Sequence, residues 1–258
     1  MARRKPRCRE VLVAVTPIVM IPARLGSTRL PGKALANIAG APMISHVLER
    51  GREANLGRVV VATDAPEIAS VVAAAGGEAE ITFGSHACGL DRIGEALRRI
   101  DPERKYDVVV DLQGDQPFLP KGALKAALDL LQDPSVDMAT LATTALPGEE
   151  DDPNVVKLIG SAISPKRMRA LYFTRARAPW GEGPLYHHLG VYAFRRPEFE
   201  RFIDLPVSTL EKRERLEQLR ALEAGMRIDV ALLDKAGPSV DTERDLEAAR
   251  RSAGEERN

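Results

Sequence analysis

Three cations in one short loop have the chemistry to hold a chain of phosphates. Arg24, Arg29 and Lys33 lie in "PARLGSTRLPGK" at 22–33, among two glycines and two hydroxyl side chains. Glycine lets a backbone approach a ligand closely, arginine can pair with two phosphate oxygens at once, and lysine adds a point charge. The pattern predicts a polyphosphate site, and the simpler alternative is a solvated, positively charged loop.

This loop differs from a P-loop of the Walker A type. That motif needs four residues between its two glycines, and a serine or threonine after the lysine to bind magnesium. Here five residues separate Gly26 from Gly32, and Ala34 follows the lysine. Phosphates would therefore be held without a Walker A helix.

Two aspartates could supply the metal ligands that the loop lacks. Asp115 follows a run of valines in "DVVVDLQGDQP", and Asp241 lies in "SVDTERDL" before a predicted helix. A carboxylate can hold magnesium against phosphate oxygens, and the amide of Gln113 can pair with the edge of a base. Taken singly, Asp115 fits an ordinary acidic turn equally well, and Asp241 fits a helix cap better. On one sheet edge with the three cations, the two carboxylates predict a site for magnesium and a triphosphate.

The elements around these residues predict an α/β fold. Short β-branched runs are typical of buried parallel strands, and segments with apolar residues at three and four spacing are typical of helices. The strands are expected at 18–21, 58–63, 78–82 and 107–112, and the helices at 42–54, 66–76 and 90–100. This alternation predicts a parallel sheet covered on both faces. The cationic loop and Asp115 would then lie beyond the carboxyl ends of strands, where ligands of such sheets bind.

The middle of the chain has a different pattern. Strand-like segments follow one another there without regular helices, which predicts an antiparallel extension or a lid. These segments are 138–146, 155–160, 170–174 and 188–194. The α/β pattern returns with one helix at 209–225 and a strand at 227–233. A final helix follows Asp241 and Thr242, either of which could cap it.

We therefore expect one domain over 17–252 with a β-rich extension at about 138–200. The basic start of the chain contains an apolar run that is too short for a secretory signal, which needs about 7 to 15 apolar residues. Residues 1–16 are expected to be a disordered extension.

Composition narrows the class of protein. The 258 residues carry 37 Lys+Arg and 37 Asp+Glu, so no global basic excess would draw the chain to nucleic acid or anionic lipid. Aromatic residues make up 4%, too few for a stacking platform. The two cysteines lack the spacing of a zinc site, and no apolar run approaches the roughly 20 residues that cross a bilayer. We expect a cytoplasmic protein with no nucleic-acid partner and no membrane insertion.

The ordered motifs of the chain resemble one family. They run from about Ile18 to Arg250 and are "IPARLGSTRLPGK", "VATD", "LQGDQP", "MATLA", "ALYFTRARAPW", "HHLGVYAFR", "LEQLRALEAG" and "VDTERDLE". This series resembles the 3-deoxy-manno-octulosonate cytidylyltransferases, also called CMP-Kdo synthetases. The resemblance implies the α/β nucleotide-diphospho-sugar transferase fold, a glycosyltransferase-A-like three-layer sandwich with a mostly parallel central sheet. It also implies a homodimer formed through a small β-rich dimerisation extension.

The resemblance also implies an activity. A member of this family activates 3-deoxy-D-manno-octulosonate (Kdo) with CTP and releases CMP-Kdo and pyrophosphate, for lipopolysaccharide or capsule biosynthesis. CTP and an acidic eight-carbon sugar would be the substrates, and Mg²⁺ would be the cofactor. Asp115 and Asp241 match the magnesium ligands, and with Arg24 and Lys33 they form the implied catalytic set.

Further residues match family positions that contact each substrate. The nucleotide-binding positions implied by the resemblance are Arg24, Ser27, Arg29, Lys33, Arg92 and Gln113, of which Arg92 and Gln113 would recognise cytosine. The sugar-binding positions implied by it are Arg175, His188, Tyr192, Glu217 and Gln218. Read alone, His188 fits a core histidine better than a ligand-binding one, and the two helical residues fit a solvated face.

Two departures from the family pattern leave alternatives open. The chain has "CGLDR", with Cys88 and Leu90 where relatives usually carry hydroxyl side chains, and "GDQP" where "GDEP" is common. The second variant resembles relatives that use an 8-amino sugar. The same chemistry on 8-amino-3,8-dideoxy-manno-octulosonate or another acidic sugar is therefore an alternative. A non-catalytic nucleotide-binding relative is an alternative of another class.

Overall fold

One mixed β-sheet forms the centre of the fold. A computed structural model describes residues 15–27 and 29–255, so the predicted extension lies outside the described residues up to position 14. The strands of the central sheet are β1 (Pro17–Ala23), β4 (Arg58–Thr63), β5 (Glu78–Ile81), β6 (Val108–Leu112), β7 (Met138–Thr144), β8 (Lys157–Ser164), β9 (Arg167–Thr174), β10 (Tyr186–Arg195) and β11 (Ile228–Leu233). A separate two-stranded ribbon is formed by β2 (Asn37–Ile38) and β3 (Ala41–Pro42).

The pairing of these strands confirms the predicted fold class. Within the described ranges, the order across the sheet is β5-β4-β1-β6-β10-β7-β11-β9-β8. All strands except β9 and β10 run in the same direction. The central sheet is therefore mostly parallel in direction, and the two reversed strands both come from the middle of the chain.

Helices cover both faces of the sheet. They are α1 (Met43–Glu53), α2 (Pro66–Ala74), α3 (Gly89–Ile100), α4 (Ala123–Leu130), α5 (Arg196–Asp204), α6 (Thr209–Glu214), α7 (Gln218–Glu223) and α8 (Glu243–Glu255). Side chains of α1, α2 and α4 pack into one apolar cluster, and those of α3, α5 and α7 pack into a second. No helix within the described ranges is both long and apolar enough to cross a membrane.

Strand β1 shows why both faces are covered. Val19 and Ile21 belong to the first cluster, whereas Ile18 and Met20 belong to the second. All four side chains are fully buried. Because successive residues of a strand point to opposite faces, a continuous apolar run needs a packed layer on each side. The three layers follow from runs of this kind.

The segment predicted as a β-rich extension supplies four strands to the central sheet. These strands are β7, β8, β9 and β10. The antiparallel pair β8 and β9 forms one end of the sheet, and β8 is the edge strand. Ile163 on β8 and Leu171 on β9 are exposed there. The middle of the chain therefore extends the sheet and leaves an edge with exposed apolar side chains.

The prediction of a single helix over 209–225 is wrong. The chain forms α6 and α7 instead, because Arg215 has a left-handed backbone (φ 57°) that ends α6. The carboxylate of Glu214 accepts hydrogen bonds from the Thr174 hydroxyl at 2.8 Å and the Arg175 amide at 3.0 Å. These tertiary bonds hold the turn against β9, and tertiary context can outweigh helix propensity in this way. The break turns Glu217 and Gln218 toward the sheet edge.

Helix α8 holds the cationic loop in place. Leu30 of that loop is buried in a third apolar cluster with Leu246 and Ala249 of α8. The cap of α8 is made by Thr242, whose hydroxyl accepts from the Asp245 amide at 3.3 Å, while the Asp245 carboxylate accepts from the Thr242 amide at 2.8 Å. The Asp241 carboxylate is therefore available for other contacts, although helix capping was the better reading of its sequence alone.

Candidate active site

Two adjoining cavities lie at the sheet edge beyond β1 and β6. The smaller has a volume of about 240 Å³ and the larger about 600 Å³. Arg24, Arg29, Gln113, Asp115 and Asp241 line both, so the cavities share a wall. Every predicted site residue lines at least one of them. The predicted site residues that line only the smaller cavity are Ser27, Lys33 and Arg92, and those that line only the larger are Arg175, His188, Tyr192, Glu217 and Gln218.

Lys33 joins the two predicted metal ligands. Its ammonium nitrogen lies 3.0 Å from Asp115 Oδ2 and 2.9 Å from Asp241 Oδ1. Burial opposes the charged form of Lys33, but the two carboxylates outweigh that effect and the net pKa of the ammonium is raised. Burial likewise opposes the charge of Asp241, and Lys33 and Arg29 reverse the effect so that the pKa of this carboxyl is lowered. The charged forms of Lys33 and Asp241 are therefore favoured together.

The cationic loop is fixed by contacts that cross the shared wall. Arg29 Nη2 lies 3.2 Å from Asp241 Oδ1, and Arg29 Nη1 donates to Asn154 Oδ1 at 3.0 Å. Within the loop, the Ser27 hydroxyl accepts from the Leu30 amide at 3.4 Å. Arg24 is exposed at the rim of both cavities. The loop thus presents three cations to the smaller cavity, which the two carboxylates also line.

The side-chain amide of Gln113 is held between two acids. Its Nε2 donates to Asp111 Oδ2 at 2.7 Å and lies 3.4 Å from Glu217 Oε1. Burial raises the pKa of both carboxyl groups, and their mutual repulsion adds to the effect on Asp111. With Nε2 engaged, Oε1 remains as a hydrogen-bond acceptor. A Cβ atom at Gly89 would lie 3.1 Å from Nε2, so this close approach favours glycine.

Arg92 is fixed within the wall of the smaller cavity. It lies in the first turn of α3, and its Nη2 lies 2.8 Å from Asp64 Oδ2 while its Nη1 donates to Thr82 Oγ1 at 2.5 Å. The side chain is buried, so the guanidinium has little freedom to move. Arg92 can therefore present a fixed donor face to a ligand.

His188 lies in a buried hydrogen-bond chain under the larger cavity. The Thr140 hydroxyl donates to the Val191 carbonyl at 2.7 Å, so His188 Nε2, 2.9 Å away, is the donor to Thr140 Oγ1. His188 Nδ1 then accepts from Gln218 Nε2 at 3.5 Å, and the Tyr192 hydroxyl donates to Gln218 Oε1 at 3.0 Å. Burial lowers the pKa of His188 to about 3, with a smaller effect from His187. The imidazole is neutral at physiological pH and cannot supply a positive charge to an anionic ligand.

Arg175 uses its guanidinium to organise the far wall of the larger cavity. Its Nε donates to the Glu214 carbonyl at 2.9 Å, and its Nη1 donates to the Pro153 carbonyl at 2.8 Å. Burial, and then the nearby charge of Arg29, lower the pKa of Arg175. The side chain ties the turn after α6 to the loop before β8, and its charge still faces the cavity.

Two contributors to the site were missed by reasoning from the sequence. The sequence around Asp111 contains a signal that could have identified it. Asp111 is a carboxylate in a valine run and lies two residues before Gln113, on the same face of the strand. Asn154 had no signal beyond a turn-like "DPN" segment. Its contact with Arg29 joins positions 125 residues apart, which no local pattern shows.

Sequence comparison finds close relatives over most of the chain. A family model described as cytidylyltransferase matches residues 18–228. A 3-deoxy-manno-octulosonate cytidylyltransferase of Rhodopseudomonas palustris is 57% identical over 238 residues, which cover 92% of this chain and 97% of the relative. A protein of the same name from Methylobacterium radiotolerans is 58% identical over 235 residues, covering 91% of this chain and 95% of the relative.

Solved structures agree with the sequence comparison. A structure of CMP:2-keto-3-deoxy-manno-octonic acid synthetase complexed with CTP is similar with a TM-score of 0.83 at 36% identity, covering 93% of this chain and 99% of that chain. An apo UDP-glucose pyrophosphorylase is similar with a TM-score of 0.70 at 13% identity, covering 95% of this chain and 100% of that chain. At that identity the second likeness concerns the fold alone.

The neutral state of His188 predicts a pH dependence of stability. Its pKa is about 3 in the folded chain against an ordinary value of 6.5, so between these values the unfolded chain binds more protons. The free energy of unfolding should therefore fall as the pH falls through this window, by up to about 1.4 kcal/mol per pH unit for one proton. In His188→Gln this contribution disappears. Urea unfolding from pH 4 to 7 tests the difference in slope, and parallel curves for both proteins would contradict it.

Proposed function

The chain belongs to the family of 3-deoxy-manno-octulosonate cytidylyltransferases, and on that premise we propose that it transfers the cytidylyl group of CTP to Kdo. The products are CMP-Kdo and pyrophosphate. The observation that carries this proposal is the meeting of Lys33 with Asp115 and Asp241 at the wall between two cavities. As the family resemblance implies, we assign the reaction to the cytoplasm and its product to lipopolysaccharide or capsule assembly.

The smaller cavity suits the nucleotide. Arg24, Arg29 and Lys33 face it and can pair with the oxygens of a triphosphate, where the bidentate geometry of arginine fits phosphate well. Ser27 and the loop backbone can add hydrogen bonds. Before a ligand binds, Lys33 and Arg29 are paired with carboxylates, so their charges are already oriented toward the space that phosphate would enter.

The fixed amide of Gln113 offers a means of selecting cytosine. Because Asp111 and Glu217 engage Nε2, Oε1 is the atom left to face a base. An acceptor can pair with the exocyclic amino group of cytosine, whereas the corresponding oxygen of uracil is itself an acceptor. Arg92 adds a fixed donor on the same wall. Together these groups support a preference for CTP.

The larger cavity suits an anionic, hydroxyl-rich sugar. Glu217, Gln218 and Tyr192 offer hydrogen-bonding groups at its wall. Since His188 is neutral, the positive charge opposite the sugar carboxylate comes from another residue, and Arg175 is one of the cationic side chains that line the cavity. We therefore assign His188 to the orientation of Gln218 and Arg175 to the attraction of the carboxylate.

The donor set fits magnesium, which we propose as the cofactor. Asp115 and Asp241 are held within hydrogen-bond distance of a single ammonium nitrogen, and carboxylate oxygen is a preferred magnesium ligand. Among residues 15–27 and 29–255 no group of three or more His, Cys, Asp or Glu is arranged to hold a metal. Two protein carboxylates leave ligand positions for phosphate oxygens and water. When bound, magnesium supplies neutralisation of phosphate charge.

The residues of the chain act on the reaction by alignment and charge. The anomeric hydroxyl of the sugar releases its proton to solvent as its oxygen forms a bond to the α-phosphorus, the α–β phosphoanhydride bond breaks, and pyrophosphate leaves with its electron pair. Lys33, Arg29 and Arg24 hold the triphosphate so that the leaving group lies opposite the larger cavity, from which the sugar attacks. Such fixed positioning and charge stabilisation can supply most of a rate enhancement. No covalent intermediate with the protein is required.

We also propose a homodimer formed through the end of the sheet. The exposed side chains of Ile163 and Leu171 lie at the edge made by β8 and β9, and a second copy would cover them. Light scattering should give twice the chain mass of 28.1 kDa at micromolar concentration. A monomer mass that persists at high concentration contradicts this assignment.

The proposed activity is tested by pyrophosphate release. The purified chain is incubated with each of four nucleoside triphosphates and with Kdo, its 8-amino analogue or another acidic sugar, with and without EDTA. We expect release with CTP, Kdo and Mg²⁺, and its loss with EDTA. A higher kcat/KM for the 8-amino sugar would move the substrate assignment to that compound. No release with any pair would favour a non-catalytic relative.

The roles of the two carboxylates are tested by isosteric substitution. Asp115→Asn and Asp241→Asn keep the side-chain volume but remove one negative charge each, so kcat should fall by about 100-fold or more. Asp234→Asn is the matched control, because Asp234 also pairs with a lysine, Lys166, at an exposed position away from both cavities. Steady-state kinetics with thermal melts measures the effect. Near-normal kcat in both site variants would remove the metal assignment.

A further inference from the structure

The ammonium of Lys33 occupies the space between the carboxylates that would hold a cation. Its nitrogen is 3.0 Å from Asp115 Oδ2 and 2.9 Å from Asp241 Oδ1. The same two groups are the magnesium ligands of the proposed function, on which this inference rests. This space cannot hold both the ammonium of Lys33 and a divalent ion that is bound by the two oxygens. The two positive charges would repel each other strongly at such distances.

When no other anion is present, the ion pairs of Lys33 with these carboxylates are more favourable than a displaced ammonium. Its side chain is 17% exposed, so water can reach only part of it. Within the described part of the chain, Asp115 and Asp241 are its ion-pair partners. Moving the ammonium away would leave a largely buried positive charge without a counter-ion, and uncompensated buried charges are costly.

The nucleotide changes this balance. A triphosphate brings several negative oxygens to the cavity that Lys33 lines, so the ammonium can exchange carboxylate oxygens for phosphate oxygens. The two carboxylates then lose their counter-ion at the moment when a metal ion can replace it. The triphosphate therefore removes the ammonium that blocks the metal ion, and the metal ion neutralises the carboxylates that would repel the triphosphate. A metal alone displaces Lys33 without compensation, and a nucleotide alone leaves two carboxylates beside its phosphates.

From this exchange we propose that Lys33 makes the site select magnesium and nucleotide as a pair, because its ammonium holds the place of the metal until a triphosphate takes the ammonium away. Lys33 is thus a residue that determines which form of the substrate is bound. In thermodynamic terms, it couples the affinities for the two ligands, and a coupling of this kind amounts typically to 5–150-fold.

The test is the affinity of the folded chain for each ligand by itself. Mn²⁺, which takes oxygen ligands as Mg²⁺ does, is titrated without nucleotide and followed by electron paramagnetic resonance. CTP is titrated in EDTA by calorimetry. The variant Lys33→Met removes the charge, and Lys166→Met is the matched control, since Lys166 pairs with Asp234 outside both cavities. Lys33→Gln, which also lacks the charge, serves if the methionine variant does not fold.

We expect opposite changes in the same variant. Lys33→Met should bind Mn²⁺ about tenfold or more tightly than the wild type, and it should bind CTP about tenfold or more weakly. Lys166→Met should bind both as the wild type does. A loosened structure would lower the affinity for both ligands. A lower affinity for both Mn²⁺ and CTP in the folded Lys33 variants therefore overturns the proposal. Unchanged Mn²⁺ affinity overturns it as well.

The outcome is separable from that of the proposed function. If the wild type releases pyrophosphate from CTP and Kdo but Lys33→Met binds Mn²⁺ no better, the coupling is wrong and the activity stands. If the wild type has no activity but the two affinities move in opposite directions, the coupling stands and the proposed reaction fails.

Discussion

The site depends on one contact, in which a lysine ammonium holds two aspartates together. Lys33 follows β1, Asp115 follows β6, and Asp241 precedes α8, so three separate parts of the chain meet at one nitrogen atom. Two carboxylates this close would repel each other without a positive charge between them. The backbone adds a second link, because the Val240 amide donates to the Asp115 carbonyl at 3.0 Å. The charges and the sheet edge therefore stabilise the same arrangement.

Much of this arrangement could be predicted from the sequence, because it follows from short-range patterns. The strand predicted at 58–63 has those bounds in the structure, and buried runs of this kind place the residues after them on a shared edge. The cationic loop and Asp115 each follow such a run, and so they meet. The site residues that line only the larger cavity were predicted from the family resemblance alone, because the sequence around His188 and Glu217 does not indicate that they bind a ligand.

The parts that could not be predicted all depend on contacts between distant segments. The charged stretch over 209–225 has a helical composition, but Glu214 bonds β9 and Arg215 turns the backbone, which divides the helix. The family resemblance implies that Arg175 is a sugar-binding position, but its hydrogen bonds to two backbone carbonyls depend on the folded turn and loop and have no local sequence signal. Local propensity therefore described the elements but not the turns that aim their side chains.

The anchoring of the cationic loop has a consequence for how the chain is made. Leu30 needs Leu246 and Ala249 for its packing, and Lys33 is 208 residues away from Asp241. While the nascent chain emerges from the ribosome, the first strands can pair long before α8 exists, but the loop has neither its apolar support nor half of its counter-charge. The site that includes Asp241 is therefore complete only late in synthesis, after the strands of the sheet have been made.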